Sequence, residues 1–339
     1  MIIEKDGKKY QNCFQTIIWS GGINGTFRKL EFEMEINDEF KVGDKISFKL
    51  QNTKELFRGR IFSIEKTASS PVMNVTAVDD GIYLNKNRFV KNYFNKMPSS
   101  IVDEICKELK LEVGRVPQDK VKCMFPAIDC SGYEIIMKAY TIQHNKDKKT
   151  YSVACNNGKI EILDENIMLE TELKSSSNIR DATYRTDIER MINQIVIYKV
   201  DGEKGQIIGK VANEEDKNKY GLFQDVMQYN QDVNNIVNAQ DMLEKLNERA
   251  TIVVDGNVDL QAGYTVAVKE EKTGLYGIFL IVEDTHTWKN GNYETRLELS
   301  FEIAMDKIEL KNEKGKREVK ESKYELTDPG LKKEYEAIK

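Results

Sequence analysis

The chain has 339 residues, 40% hydrophobic and 32% charged, with 51 basic against 56 acidic side chains and a net charge of -5. That length supports two or three domains, each able to bury its own core without disulfide or metal staples. The interleaving of opposite charges excludes a general nucleic-acid binder, which clusters Lys and Arg against phosphates, and sequence-specific DNA readout with it.

The N-terminus, Met1-Ile2-Ile3-Glu4-Lys5-Asp6, has no basic segment leading into an apolar one, and no apolar run approaches the length of a bilayer span. Five scattered cysteines, Cys13, Cys106, Cys123, Cys130 and Cys155, suit reduced, mostly buried thiols. The expectation is a protein made in the cytoplasm without a membrane anchor, leaving the cell only inside a particle or by lysis.

The first eighty or so residues read as strands. Leu30, Phe32, Met34 and Ile36 alternate with Glu31, Glu33 and Glu35, and Val42-Gly43-Asp44 forms the turn that follows. Ile46, Phe48 and Leu50 continue the alternation, then Phe57, Gly59, Ile61 and Ile64, then residues 72–78. This pattern predicts an antiparallel meander or small barrel over 1–84.

Around Asp80 the period changes. Pro98-Ser99-Ser100 is expected to cap a helix carrying Ile101, Ile105 and Leu109, with Asp103 in its first turn. Ser131 followed by Glu134 is a capping-box pattern that opens a second helix with Ile135, Ile136, Ala139 and Ile142. Asn157-Gly158 between alternating Tyr151, Val153, Cys155 and Ile160, Ile162 predicts a hairpin. The segment 85–165 therefore reads as an inserted small α+β domain.

Strand signals return from about Ile188 with Ile195, Ile197 and an Asp201-Gly202 turn, broken by one helix in which Ile236, Leu243 and Leu246 share a face. The last strands run over 251–301, giving a second tube-like domain at 166–305. Beyond Asp306 the chain is dominated by Lys and Glu, and 306–339 reads as an exposed helix or flexible charged tail that adds little to stability.

Two stretches echo each other. Val42-Gly43-Asp44 leads into Ile46 and Phe48, and Leu56-Phe57-Arg58-Gly59 into Ile61; near the other end Ala262-Gly263-Tyr264 leads into Val266 and Val268, and Leu275-Tyr276-Gly277 into Ile278 and Leu280. Any two antiparallel sheets share such features; the sharper reading is a duplicated barrel split by an insertion. The fold class is then α+β, mostly β, with two tube-like antiparallel β-barrels, an inserted α+β domain and a charged C-terminal tail.

Catalytic raw material is sparse. The two histidines, His144 and His286, leave little for His-based catalysis or a multi-histidine metal site, and His286 on a strand reads as a packed or edge residue. Cys123 and Cys130 are too far apart for a zinc-knuckle pair. Gly21-Gly22 and Asn24-Gly25 lack the Gly-Lys-Ser/Thr and helix of a phosphate loop, and no nucleophile elbow is present. No cofactor, no metal and no enzymatic activity are expected; carboxylates are abundant, so a glycosidase-like pair stays open on spacing alone.

The ordered stretches resemble the baseplate hub proteins of contractile phage tails, defective prophages and tail-like bacteriocins, the late control gene D type. Ile18-Trp19-Ser20-Gly21 with Phe27-Arg28-Lys29-Leu30, Val42-Gly43-Asp44, Leu56-Phe57-Arg58-Gly59, Val78 to Leu84, Tyr133-Glu134-Ile135-Ile136, Asn178-Ile179, Lys219-Tyr220-Gly221-Leu222, and Gly274-Leu275-Tyr276-Gly277 through His286-Thr287-Trp288 carry it, over roughly Cys13 to Ala304. One departure stands at Gly263-Tyr264, where a Gly-Asp turn keeps its glycine and loses its carboxylate.

The resemblance marks Trp19, Gly21, Arg28, Gly43, Asp44, Gly59, Tyr220, Gly221, Gly263, Gly277, His286 and Trp288 as structural positions. It implies a homotrimeric, pseudo-six-fold ring in the assembled particle, with the tail tube protein, the central spike protein and other baseplate proteins as partners. The competing reading is a tail-associated peptidoglycan hydrolase; a tube or spike protein proper would have no need of the inserted domain.

Overall fold

The computed structural model describes residues 1–23, 25–51, 55–156, 158–164, 167–202, 204–231, 234–301, 308, 323–326 and 329–338. Asn24, Asn157 and most of the 306–339 segment lie outside the described residues. The alternating runs form a short hairpin, β1 (Ile2–Lys5) and β2 (Lys8–Gln11), then β3 (Phe14–Gly22), β4 (Lys29–Glu35), β5 (Lys45–Lys49), β6 (Glu55–Lys66) and β7 (Val72–Asp79). The insertion follows as α1 (Ile82–Lys86), β8 (Arg88–Lys96), α2 (Pro98–Leu109), β9 (Glu112–Val113), β10 (Cys123–Ser131), α3 (Gly132–Asp147), β11 (Tyr151–Asn156) and β12 (Lys159–Asp164).

Next come β13 (Met168–Lys174), β14 (Ile179–Asp187), β15 (Gln194–Asp201), β16 (Lys204–Ala212), α4 (Glu214–Tyr220), β17 (Gln224–Gln228) and α5 (Asn235–Asp241). The chain closes with β18 (Asn247–Asp255), β19 (Thr265–Glu270), β20 (Leu275–Lys289), β21 (Asn292–Ser300), β22 (Lys323–Leu326) and α6 (Pro329–Ile338). Two compact units result: Met1–Tyr184 with Ala250–Leu310, and Arg185–Arg249 with Lys311–Lys339.

In the first unit one 13-stranded sheet runs in the order β14-β18-β21-β20-β3-β4-β7-β6-β5-β1-β2, with β19 on β20 and β13 on β19. The order β4-β7-β6-β5 repeats as β18-β21-β20-β19, and the repeat extends to single hydrogen bonds. Glu39 N donates to Asn37 Oδ1 at 2.9 Å, and Asp259 N to Asn257 Oδ1 at 2.9 Å. Gly43 N donates to Ile61 O at 2.8 Å and Gly263 N to Ile281 O at 2.9 Å; both glycines have φ +93°, a conformation that favours a residue without Cβ. A bulge after Ile61 matches one after Ile281.

The glycines of the echo align differently from the sequence reading. Ile46 faces Gly59 in the first copy, Val266 faces Phe279 in the second, and Gly277 faces Val268 where Phe57 faces Phe48. Gly277 therefore corresponds to Phe57, and Gly59 to Phe279. In each copy the ring two residues away lies beside the bare glycine: a Cβ on Gly59 would sit 2.6 Å from the Phe57 ring, and one on Gly277 3.6 Å from the Phe279 ring. The pair is kept and its order reversed.

Among the described residues no strand pairing closes either half on itself, so the two expected tubes are two halves of one open, largely antiparallel sheet. One half buries Ile17, Trp19, Leu30, Phe32, Phe48 and Phe57, and the other Ile252, Val254, Val266, Phe279, Leu297 and Leu299. The insertion has its own core of Ile101, Ile105, Ile135, Ile136, Tyr140, Ile160 and Ile162. Its second helix opens on the expected capping box, with Glu134 N donating to Ser131 Oγ at 3.1 Å and Ser131 N to Glu134 Oε2 at 2.6 Å. The first helix differs: Met97 is its N-cap without a side-chain bond, Pro98 fills the first turn, and Asp119 from outside the helix accepts Ser99 N at 2.9 Å.

The second unit lies inside the stretch read as a second barrel. Its four-stranded sheet, β17-β15-β16-β22, buries Ile195, Ile197, Ile208 and Val211 against Ile236, Ala239 and Leu331. The helix expected through Leu246 ends at Asp241. The segment read as a tail also differs, because β22 pairs with β16 and Leu331 of α6 is fully buried. Leu331→Ala should cost about 2–4 kcal/mol through the lost side chain and residual cavity, seen as faster amide exchange at Ile208 and Val211 with exchange in the first unit unchanged; an unaltered rate would return 323–338 to the status of a tail.

Candidate functional site

The two halves of the large sheet meet where β20 pairs antiparallel with β3, from Glu283 opposite Gly22 to Lys289 opposite Thr16. Period-two geometry then places Trp19 and Gly21 on the same inward face as Asp284, His286 and Trp288. Arg28, at the entry to β4, reaches into this face. Its guanidinium forms a two-pronged bond to Asp284, with Nη1 3.0 Å from Oδ1 and Nη2 on Oδ2, and lies 3.8 Å from the centre of the Trp19 ring. Gly21 makes the room: a Cβ there would stand 2.6 Å from Arg28 Nη1.

Asp284 also accepts Ala262 N at 2.7 Å. This carboxylate thus reaches the second copy's turn, where Tyr264 replaces the capping acid; in the first copy Asp44 Oδ2 takes Lys41 N at 2.8 Å. His286 Nε2 lies 3.1 Å from Asp284 Oδ2, while Nδ1 is 3.0 Å from Tyr293 Oη and 3.2 Å from Thr295 Oγ1. A neutral imidazole accepts at Nδ1 from these hydroxyls, while Nε2 faces Asp284 without hydrogen-bond alignment. Trp288 stacks on Tyr293 at 4.4 Å and meets Phe48 edge-on at 5.3 Å.

Burial alone would raise the Asp284 carboxyl, but Arg28 and His286 hold it below its ordinary value. Burial holds the His286 imidazole below its own, against the opposing pull of Asp284. A second acid, Asp79, accepts Arg28 N at 2.9 Å and Gly81 N at 3.0 Å, and burial pushes it up to about 7 although both bonds favour the anion. Side-chain exposure is 0% for both Asp284 and His286. The Asp-His-Tyr array can orient protons and fix side chains, but no substrate reaches it without opening the sheet.

The sequence-marked positions separate into groups. Trp19, Gly21, Arg28, His286 and Trp288 converge on the seam, while Gly43, Asp44, Gly59, Gly263 and Gly277 shape the duplicated turns and strands. Tyr220 and Gly221 belong to the second unit, where Gly221 ends α4 at φ +89° and its carbonyl accepts Asn193 Nδ2 at 2.7 Å. Sequence reasoning missed Asp79, Asp284, Tyr293 and Thr295; the signal available was an Asp and a Thr on inward positions of otherwise apolar alternating strands. A recess of about 430 Å³, open solvent included, lies beside the seam between Ile23, Thr26, Arg28, Cys155 and Tyr264. Among the described residues no cluster of three or more His, Cys, Asp or Glu is arranged to hold a metal, and no helix is long and apolar enough to cross a membrane.

Arg28→Ala leaves Asp284 buried without its cation and should cost about 3–5 kcal/mol in chemical denaturation; a loss below about 1 kcal/mol would show that the pair does not hold the seam. For Asp79, whose folded pKa is raised, the favourable contribution is complete below the unfolded value of 3.8 and is lost as pH rises through about 7. Wild type should therefore lose stability relative to Asp79→Asn between about pH 4 and about pH 7. Parallel pH profiles would refute a raised Asp79.

Comparison with solved structures places this architecture. The chain is similar to the 43 kDa tail protein of prophage MuSo2 from Shewanella oneidensis, at 13% identity and TM-score 0.65 over 88% of this chain and 97% of that one. It is also similar to a tail protein from Neisseria meningitidis MC58, at 12% identity and TM-score 0.60 over 88% and 95%. A third likeness is to an E. coli component of the type VI secretion system described as structurally similar to T4 tail proteins, at 12% identity and TM-score 0.53 over 88% and 76%. The shared property at these identities is the fold, that of phage tail proteins. No curated protein matches the sequence. The YQBQ-like family model matches residues 17–300, from β3 to the end of β21, and the chain belongs to that family.

Proposed function

We propose that this chain is a structural component of the baseplate of a contractile tail or tail-like bacteriocin, and within it the hub that joins tail tube to central spike. The observation that carries this reading is the duplication inside one chain, with the same strand order and the same backbone bonds tying Gly43 to Ile61 and Gly263 to Ile281. Three copies then present six near-equivalent halves, which suits a six-fold tube on one side and a three-fold spike on the other. The proteins that share its fold are described as tail and secretion-system proteins, which supports the same role.

On this reading the work is done by interface geometry rather than chemistry. Its partners are two further copies, the tube protein, the spike protein and other baseplate proteins, with assembly in the host cytoplasm before release. The sealed Asp284-His286 pair favours this over a peptidoglycan hydrolase, whose acid must meet a glycan.

A reconstruction of the particle should show three copies at the tube–spike junction, with both halves of each copy in the ring. Six copies, or one half of each copy outside the tube wall, would overturn the hub reading. Purified chain should leave a peptidoglycan suspension turbid, and clearing that a point substitution abolishes would favour the hydrolase.

A further inference from the structure

The internal repeat contains one junction that is filled and one that is open. In the filled one, the C-terminal part of β20, beyond its bulge, pairs with β3, the strand that precedes β4. The repeat maps β20 onto β6 and β4 onto β18. The strand preceding β18 is β14, which pairs with it as β3 pairs with β4. Both β3 and β14 have nine residues. Asp255 N donates to Asn178 O at 2.9 Å, at the position where Glu35 and Cys13 stand in the first copy. The equivalent of the filled junction is thus the C-terminal part of β6 against β14.

Within one chain those two segments are apart in the sheet order, and each is open. β5 covers β6 only as far as Arg60, so among the described residues nothing pairs with 63–66 on the side away from β7. β14 is a terminal strand of the sheet, with Thr183, Tyr184, Arg185 and Thr186 exposed, whereas its counterpart β3 buries Ile17 and Trp19. Ser63, Glu65 and Lys66 are likewise exposed. Open strand edges are templates for pairing with another chain, and a repeat with one junction filled and its counterpart open is the arrangement of a ring.

We propose that residues 184–187 of β14 pair antiparallel with residues 63–66 of β6 in the next copy of this chain; the proposal rests on the hub reading and specifies its inter-copy contact. Carrying over the β20–β3 register, in which Glu283 faces Gly22 and His286 faces Trp19, sets Asp187 opposite Ser63, Thr186 opposite Ile64, Arg185 opposite Glu65 and Tyr184 opposite Lys66. The charges are complementary at the centre, Arg185 against Glu65. The only present ion-pair partners of Arg185 among the described residues, Asp187 and Glu189, lie close to it in sequence. Ile64 and Tyr184 share a face, one diagonal step apart and within reach of an aromatic side chain. No counterpart of the Arg28–Asp284 pair appears in this contact, because Asp284 maps to Ile64. The contact between copies is therefore weaker than the internal seam and forms on assembly.

The test is a disulfide trap. Directly opposed residues in an antiparallel pair have Cα atoms about 4.5–5.5 Å apart, inside the range a disulfide spans. Assembled particles whose hub carries both Glu65→Cys and Arg185→Cys should oxidise to covalent species that stop at three chains, while Glu65→Cys with Asp181→Cys should stay uncrosslinked. In assembled particles, Arg185→Glu should lower hub incorporation and Glu65→Arg on top of it should restore incorporation, a rescue that general misfolding would not give. No crosslink with the first pair, equal crosslinking with the control, or a ladder running past three chains would overturn the pairing. The hub reading is judged separately by the number of copies in a reconstruction: three copies without the crosslink sink this contact and leave the hub, and six sink the hub.

Discussion

Burying an arginine and an aspartate together is costly unless the two charges meet, and here they do, although Arg28 Nε keeps no hydrogen-bond partner. The guanidinium of Arg28 has two carboxylate oxygens and the face of Trp19; the carboxylate of Asp284 has the guanidinium, a backbone N–H from the Gly263 turn and the imidazole of His286. The net stability of such a group is modest, while loss of one member strands a charge in a dry interior. Geometric specificity is the gain. The pair accepts one register of β20 on β3, and a slip of one residue would turn Asp284 and His286 to the opposite face. Two half-sheets become one 13-stranded sheet across that seam.

Much of the fold was legible because alternation is local. The strands of the first half, the capping box at Ser131 and Glu134 and the hairpin of β11 and β12 all follow from residues a few positions apart. The resemblance drawn over roughly Cys13 to Ala304 agrees with the family match over 17–300. The duplication was visible too, but its glycines misled: Gly59 and Gly277 occupy opposite ends of an aromatic–glycine pair, and strand pairing alone distinguishes them.

What stayed hidden depends on distance. The cap on α2 comes from Asp119, outside the helix it serves. Leu331 is one apolar residue in a run of Lys and Glu, and its burial becomes apparent only once β22 has docked on β16. The second unit escaped because β15 and β16 alternate like the strands around them. At the seam, Trp19, Gly21, Arg28, His286 and Trp288 carried a resemblance but no stated mechanism, and the residue that unites them, Asp284, drew no attention on a strand of unremarkable pattern.

The separation of those partners also sets a timetable. Arg28 and Asp284 are 256 positions apart, and at ribosomal rates of about 5–20 residues per second the aspartate follows the arginine by on the order of 10–50 s. Throughout that interval the nascent first half carries an unpaired cation beside a bare β3 edge, while the insertion, whose core contacts lie almost wholly within residues 84–162, has time to fold. The last strands to emerge complete the seam. A chain that stalls before Asp284 thus presents an open strand edge and a buried-type arginine to its surroundings, a form that chaperones and proteases are suited to recognise.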